Sequence, residues 1–191
     1  MLRFGFVAQL ASGSRRELWA ALAGFLSGLP VAIAALDCFG HVAVVEGASM
    51  QPTLNPENVD SDYVFLNRWS LRNFDLSRGE IVSFTSPSYP SKNLIKRVIG
   101  LEGDLIRTRS YEKPYVQIPE GHCWVEGDCQ RRDCVDSNMF GPISVGLIRA
   151  KATHIVWPPS RWQKLTTDSD IVRQPVRQEV VAWFTDDEEY V

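Results

Sequence analysis

The sequence predicts an all-β domain, antiparallel and partly closed, carried behind one N-terminal transmembrane helix. Three observations point there. A charge-free run from Leu18 to Leu36, LWAALAGFLSGLPVAIAAL, has the length that a hydrocarbon core demands. From His41 onward, short runs rich in valine, isoleucine and aromatic residues take over. Clusters of turn residues separate these runs, and helical periodicity is weak outside the first segment.

Residues 1–17 carry Arg3, Arg15 and Arg16 against a single acid, Glu17. The helix is expected over residues 18–37, with lipid contact through residues 18–36; its Pro30 and glycines are tolerated in membrane spans. A cleaved signal peptide is the competing reading, with Arg15 and Arg16 as a basic start and Ala32-Ile33-Ala34 as a cleavage site, although the apolar run is long for that role. A buried globular helix would need protein on every side. Arginines before the run, and Asp37 and Glu46 after it, put the N-terminus on the positive-inside face and the remainder across the membrane.

Eight strands are expected: His41–Val45, Tyr63–Asn67, Glu80–Thr85, Ile95–Gly100, Asp104–Thr108, Tyr115–Ile118, His122–Glu126 and Ala150–Trp157. Between them lie turn sequences such as Asn55-Pro56-Glu57-Asn58, Ser77-Arg78-Gly79 and Glu102-Gly103, and Gly141 to Ile148 has room for a short helical turn. The folded domain is read as residues 38–165. Residues 166–191 form a polar tail ending in Asp186-Asp187-Glu188-Glu189, most simply a solvated one.

A chain of 191 residues suffices for one domain with a core of its own, and a formal charge of −3 offers no basic surplus for nucleic acid. The four cysteines, Cys38, Cys123, Cys129 and Cys134, show no C-x-x-C pair, so neither a metal nor another cofactor is expected. For Cys129 and Cys134, a disulfide in an oxidising compartment and free thiols in a loop both fit.

Chemistry concentrates at Ser49 and Lys96. Ser49 sits in Glu46-Gly47-Ala48-Ser49-Met50-Gln51-Pro52, and none of the three histidines, His41, His122 and His154, comes with a triad motif or a Gly-x-Ser-x-Gly elbow. A serine without a histidine needs another base, and lysine is a known alternative. Strand alternation sets Lys96 on the face of Leu94 and Val98; burial there lowers an amine's pKa toward what a general base near pH 7 requires. The plainer reading is a lysine snorkelling from an edge strand, with Ser49 an ordinary turn residue.

The ordered motifs favour the former. Ser49-Met50-Gln51-Pro52-Thr53-Leu54, Arg78-Gly79-Glu80-Ile81-Val82-Ser83-Phe84, Lys96-Arg97-Val98-Ile99-Gly100-Leu101-Glu102-Gly103-Asp104, and Gly127-Asp128 followed by Asp136-Ser137-Asn138-Met139-Phe140-Gly141-Pro142 resemble, in order, the boxes of the type I signal peptidase family. Asp136-Ser137-Asn138, where bacterial members usually carry arginine third, and the segment from Ala152 to Trp162 resemble members of the mitochondrial inner membrane.

The resemblance implies a Ser49 nucleophile, a Lys96 general base, and a β-domain facing the intermembrane space. It also implies removal of sorting signals from precursor proteins, and a heterodimer with a homologous peptidase subunit. Asp136 is assigned to support of the site and Arg97 to structure. A substrate peptide is expected to add as a strand beside Val44, Val45, Glu46 and Gly47 and beside Ile81, Val82 and Phe84, with Met50 near the entering side chain.

Two departures stand out. Gly47 occupies the position where many bacterial relatives place an oxyanion-stabilising hydroxyl, leaving the Ser49 backbone N–H as first donor. Cys134 stands where the family usually has the serine that orients the lysine; a thiol is the poorer partner, which leaves either a less well oriented Lys96 or Ser137 in its place. Besides an active peptidase, the residues leave room for a non-catalytic stabilising subunit. A self-cleaving DNA-binding repressor is opposed by the membrane run and the missing basic patch.

Overall fold

The computed structural model describes residues 5–56, 61–72, 75–129, 134–167 and 175–176. The acidic end, most of the expected tail and the Glu57-Asn58 half of one turn lie outside them. The chain divides into two compact units between Phe39 and Gly40.

The first unit is helix α1, Gly5–Phe39, with Pro30 inside it. It begins well before the expected residue 18, because no proline interrupts residues 5–17 and a helix once nucleated propagates cheaply. Arg16–Ala34 is long and apolar enough to cross a membrane, and none of it is buried by protein. Leu18, Trp19 and Phe25 are each about two-thirds exposed, an arrangement that water disfavours and lipid satisfies.

The second unit contains β1 (Gly40–Val44), β2 (Tyr63–Asn67), β3 (Ile81–Thr85), β4 (Asn93–Gly100), β5 (Leu105–Arg107), β6 (Tyr115–Gln117) and β7 (His122–Glu126). A short helix α2 (Ser137–Phe140) follows, then β8 (Ile143–Ser144), β9 (Ile148–Trp157) and β10 (Gln163–Lys164). All eight expected strands are present within a few residues of their expected ends. The two-residue strands β8 and β10 escape sequence reading because so short a run has no period. Gly141 to Ile148 does hold a helical turn, a 3-10 turn at Val145–Leu147.

Every pairing is antiparallel. The main sheet runs β1-β2-β9-β3-β4-β7-β8, with β10 on β9 and a separate β5-β6 ribbon. The ten-residue β9 is the spine, pairing with β2, β3 and β10. One apolar cluster gathers Val45, Met50, Leu54, Val64, Leu66, Ile81 and Ile155; a second gathers Val82, Phe84, Val98, Val125 and Ile143. Full burial of each such side chain contributes about 1.5–3 kcal/mol.

This order corrects one expectation. Ile81–Phe84 is not an edge: β3 lies between β9 and β4 with both backbone sides paired, so it has no groups left for an added strand. The open edge is on β4. Its pairing with β7 begins at Arg97, leaving Asn93–Lys96 unpaired on that side. Val98 bonds Glu80 and Gly79 on the β3 side, and antiparallel alternation then turns the N–H and C=O groups of Asn93 and Ile95 outward.

Candidate active site

Ser49 lies on the loop that follows β1, and a polar clamp around the buried Asp62 shapes that loop. Asn55, at φ 51°, donates through Nδ2 to the carbonyls of Val45 (2.7 Å) and Gly47 (3.2 Å). The left-handed region suits asparagine better than most residues. Asp62, wholly buried, accepts from the Asn55 N–H at 2.8 Å and from Arg161 Nε at 2.8 Å. Arg161 also donates to the Thr53 carbonyl at 3.0 Å. Residues on both flanks of Ser49 are thus tied to one ion pair whose carboxylate is buried.

Opposite stands β4, whose Lys96 is only 2% exposed and donates through Nζ to Ser49 Oγ. The two side chains meet across 47 residues of sequence. Burial pushes the Lys96 amine down to about 8, against the carboxylates of Asp136 and then Asp128, which hold it up.

Its neighbour Arg97 goes elsewhere. The buried guanidinium holds Asp128 through Nε (2.8 Å) and Nη2 (2.6 Å) and donates to the Gly79 carbonyl (2.7 Å) and Thr53 Oγ1 (3.3 Å). Arg97 therefore joins β4, the turn before β3, the segment after β7 and the loop that carries Ser49, a structural part in keeping with expectation.

The segment after β7 closes the site from the third side. Cys129 N–H donates to the Ser49 carbonyl at 3.2 Å. A Cβ on Gly127 would lie 2.4 Å from that same oxygen, so only glycine permits this approach. Asp136 caps α2 by accepting from the Asn138 N–H at 2.9 Å, and accepts from the Gly127 N–H at 3.2 Å. Asn138 Nδ2 is shared between Asp136 and Glu126.

Two expected supports are placed otherwise. Cys134 is bonded to Cys129 in a disulfide, so its sulfur carries no proton to donate toward Lys96. Ser137 Oγ, fully buried, accepts from the Val125 N–H at 3.0 Å and braces α2 against β7.

A cleft of about 550 Å3 leads away from Ser49 and Lys96, floored by Val64, Leu66, Ser83 and Ala150 and flanked by Val44, Val45 and Glu46 on one side and Asn93, Leu94 and Ile95 on the other. His41, Arg68, Thr85 and Arg149 also line it. Of the residues expected to contact substrate, Val44, Val45 and Glu46 line this cleft. Met50, Ile81, Val82 and Phe84 do not: they are at most 3% exposed and belong to the apolar clusters. The pattern that marked them as strand residues marks core equally well. Gly47 is exposed, at φ 85°. Among the described residues none accepts a hydrogen bond from the Ser49 N–H.

The remaining histidines are engaged locally, His122 with the Glu120 carbonyl and His154 with Thr153. Among the described residues no group of three or more His, Cys, Asp or Glu is placed to hold a metal ion.

Asn55 and Asp62 carry no sequence signal of a part in the site, and Gly127 is read from sequence only as part of the last motif. One signal was available for Arg97: an arginine between Lys96 and Val98-Ile99 in a buried strand demands a carboxylate partner, by the same reasoning that singles out Lys96.

An antiparallel β-domain in which a serine loop meets a buried strand lysine is the class of architecture the fold and site define. Residues 18–114 match the family model described as "Signal peptidase, peptidase S26", and the chain belongs to this family. It is 50% identical over 171 residues to mitochondrial inner membrane protease subunit 2 of Danio rerio, covering 89% of this chain and 92% of that one. Against the Homo sapiens subunit 2, identity is 51% over 174 residues, covering 91% and 99%. Mitochondrial inner membrane protease subunit 1 of Homo sapiens is 41% identical over 133 residues, covering 68% and 77%.

Proposed function

We propose that this chain is a membrane-anchored serine endopeptidase that removes sorting signals from precursors delivered to the mitochondrial intermembrane space. The observation that carries it is the bond between the buried Lys96 amine and Ser49 Oγ. In the proposed cycle neutral Lys96 takes the Ser49 proton as the oxygen attacks the scissile carbonyl, then returns it to the leaving amine. Water, activated by the same amine, hydrolyses the acyl-enzyme. With its pKa near 8, about a tenth of Lys96 is neutral at pH 7, enough to act as base. The unengaged Ser49 N–H is the first donor for the tetrahedral oxyanion.

Substrate adds as a strand in the cleft, between the segment Val44–Gly47 and the outward-facing groups of Asn93 and Ile95. The helix over residues 18–37 anchors residues 38–165 at the inner membrane, with residues 1–17 in the matrix. The identity to both named subunits supports a heterodimer with a homologous peptidase subunit.

The test is processing of precursors in cells carrying wild type, Ser49→Ala or Lys96→Met, with each chain shown to be folded and inserted. Loss of mature N-termini in both variants is expected; full processing by either overturns the dyad. The engagement of Cys134 in a disulfide favours one second reading, a subunit that stabilises its homologue without catalysing. Rescue of processing by Ser49→Ala would select it.

A further inference from the structure

We infer that Ser83 makes the floor of the cleft a subsite for a small hydroxyl-bearing side chain of the substrate, serine or threonine. The inference deepens the peptidase reading and rests on it. Ser83 lies in the middle of β3, paired with Ile95 of β4 and with Ala150 of β9. Ile81 belongs to the first apolar cluster, whereas Val82 and Phe84 belong to the second. Alternation therefore turns the Ser83 side chain to the face of Ile81. Ala150 is a member of that first cluster and Ile95 packs against it. Both line the cleft together with Ser83, as do Val64 and Leu66, and none of the four has a polar side chain.

Ser83 is only 7% exposed. Its hydroxyl has no hydrogen-bond partner among the described residues, yet it is not sealed off within the protein. Every other buried polar side chain among those residues makes at least one such bond, Ser86 Oγ for instance accepting from the Tyr89 N–H at 3.2 Å. Solvent satisfies the Ser83 hydroxyl while the cleft is open. A peptide that fills the cleft expels solvent, and a buried hydroxyl left unpaired then counts against binding. An apolar substrate side chain leaves it so. A serine or threonine restores the bond in either direction, since both hydroxyls donate and accept. Discrimination is strong where the site's own polar group would otherwise be stranded. A peptide strand beside Asn93 and Ile95 turns alternate side chains to the floor. Ser83 is level with Ile95, which adjoins Lys96, so the side chain that meets it lies within three residues of the scissile bond.

The experiment uses the full chain in detergent, as Ser49→Ala for binding and with Ser49 intact for cleavage. The probes are short fluorescent peptides rich in alanine, in which a single threonine or valine is moved along the sequence; the two side chains are alike in shape and differ in the hydroxyl. Mass spectrometry locates the cut. A preference of about five-fold for threonine over valine, in binding and in kcat/KM, is expected at one position within three residues of the cut. Ser83→Val should reverse the preference there, and Ser83→Thr should keep it; both residues suit a strand. The ratios are taken within each variant, so a change in the folded fraction does not alter them. Valine equal or favoured at every position in wild type overturns the subsite, and so does an unchanged ratio in Ser83→Val. Cleavage of both peptides alike leaves the peptidase reading standing without the subsite. Threonine-ranked binding that Ser83→Val abolishes, with no cleavage by the Ser49 chain, supports the subsite and overturns the peptidase.

Discussion

Asn55 and Asp62 exchange hydrogen bonds in both directions, Asn55 N–H to Asp62 Oδ2 at 2.8 Å and Asp62 N–H to Asn55 Oδ1 at 2.7 Å. The pair closes the Ser49 loop against the start of β2, with Arg161 completing the ion pair. Asp62→Ala leaves Arg161 without its carboxylate and should cost about 3–5 kcal/mol. Asn55→Ala loses the carbonyl contacts and strains the left-handed backbone, so it should lower activity more than Asn55→Gly does. Denaturant midpoints and cleavage rates for the three variants check both expectations.

Gly127 packs against the Ser49 carbonyl, which a Cβ at this position would approach to 2.4 Å. In Gly127→Ala the new methyl meets backbone rather than a flexible side chain, so Ser49 must move away. A displacement of about 1 Å is expected to lower kcat about a hundred-fold while the melting transition is largely kept. Wild-type turnover in this variant would show that the approach is dispensable.

Lys96 titrates near 8 in the folded chain against 10.5 as its ordinary value. Cleavage by a neutral amine should therefore rise with pH and level off above about 8. The unfolded chain binds the extra proton between these values, so stability also rises with pH across that window. Below 8 the full penalty of burying the cation applies, roughly 3 kcal/mol. Lys96→Met should accordingly be more stable than wild type at pH 7, and its advantage should shrink by pH 10. Unfolding curves at both pH values provide the check.

Asp136 holds the lysine's pKa up and caps α2. Asp136→Asn keeps an acceptor for the cap but removes the charge, which should shift the pH–rate midpoint below that of wild type. An unmoved midpoint would mean that the carboxylate acts on the fold alone.

The disulfide closes a loop of five residues in sequence separation. On chain-entropy grounds its removal, as Cys129→Ser/Cys134→Ser, should cost about 2 kcal/mol. A non-reducing gel shift and the unfolding midpoint together measure it.

The sequence by itself determined much of this protein. The apolar run that becomes Arg16–Ala34 of α1 is legible because lipid imposes a length, and the strands are legible because period-two alternation is local. Ser49 and Lys96 were legible for a different reason: a charge in an apolar strand demands a purpose, and the ordered motifs supply one.

Only the tertiary structure decided the rest. Val82 and Phe84, expected beside the substrate, belong to the core, because strand order, which no local pattern encodes, puts β9 and β4 on either side of β3. The open edge at Asn93 and Ile95 follows from where β7 stops pairing. Cys134 is joined to Cys129 because the fold brings their sulfurs together, where the spacing left both states open. The clamp of Asn55, Asp62 and Arg161 spans up to 108 residues when its Thr53 contact is included. Its members became recognisable only once folding had buried a carboxylate and left one arginine within reach.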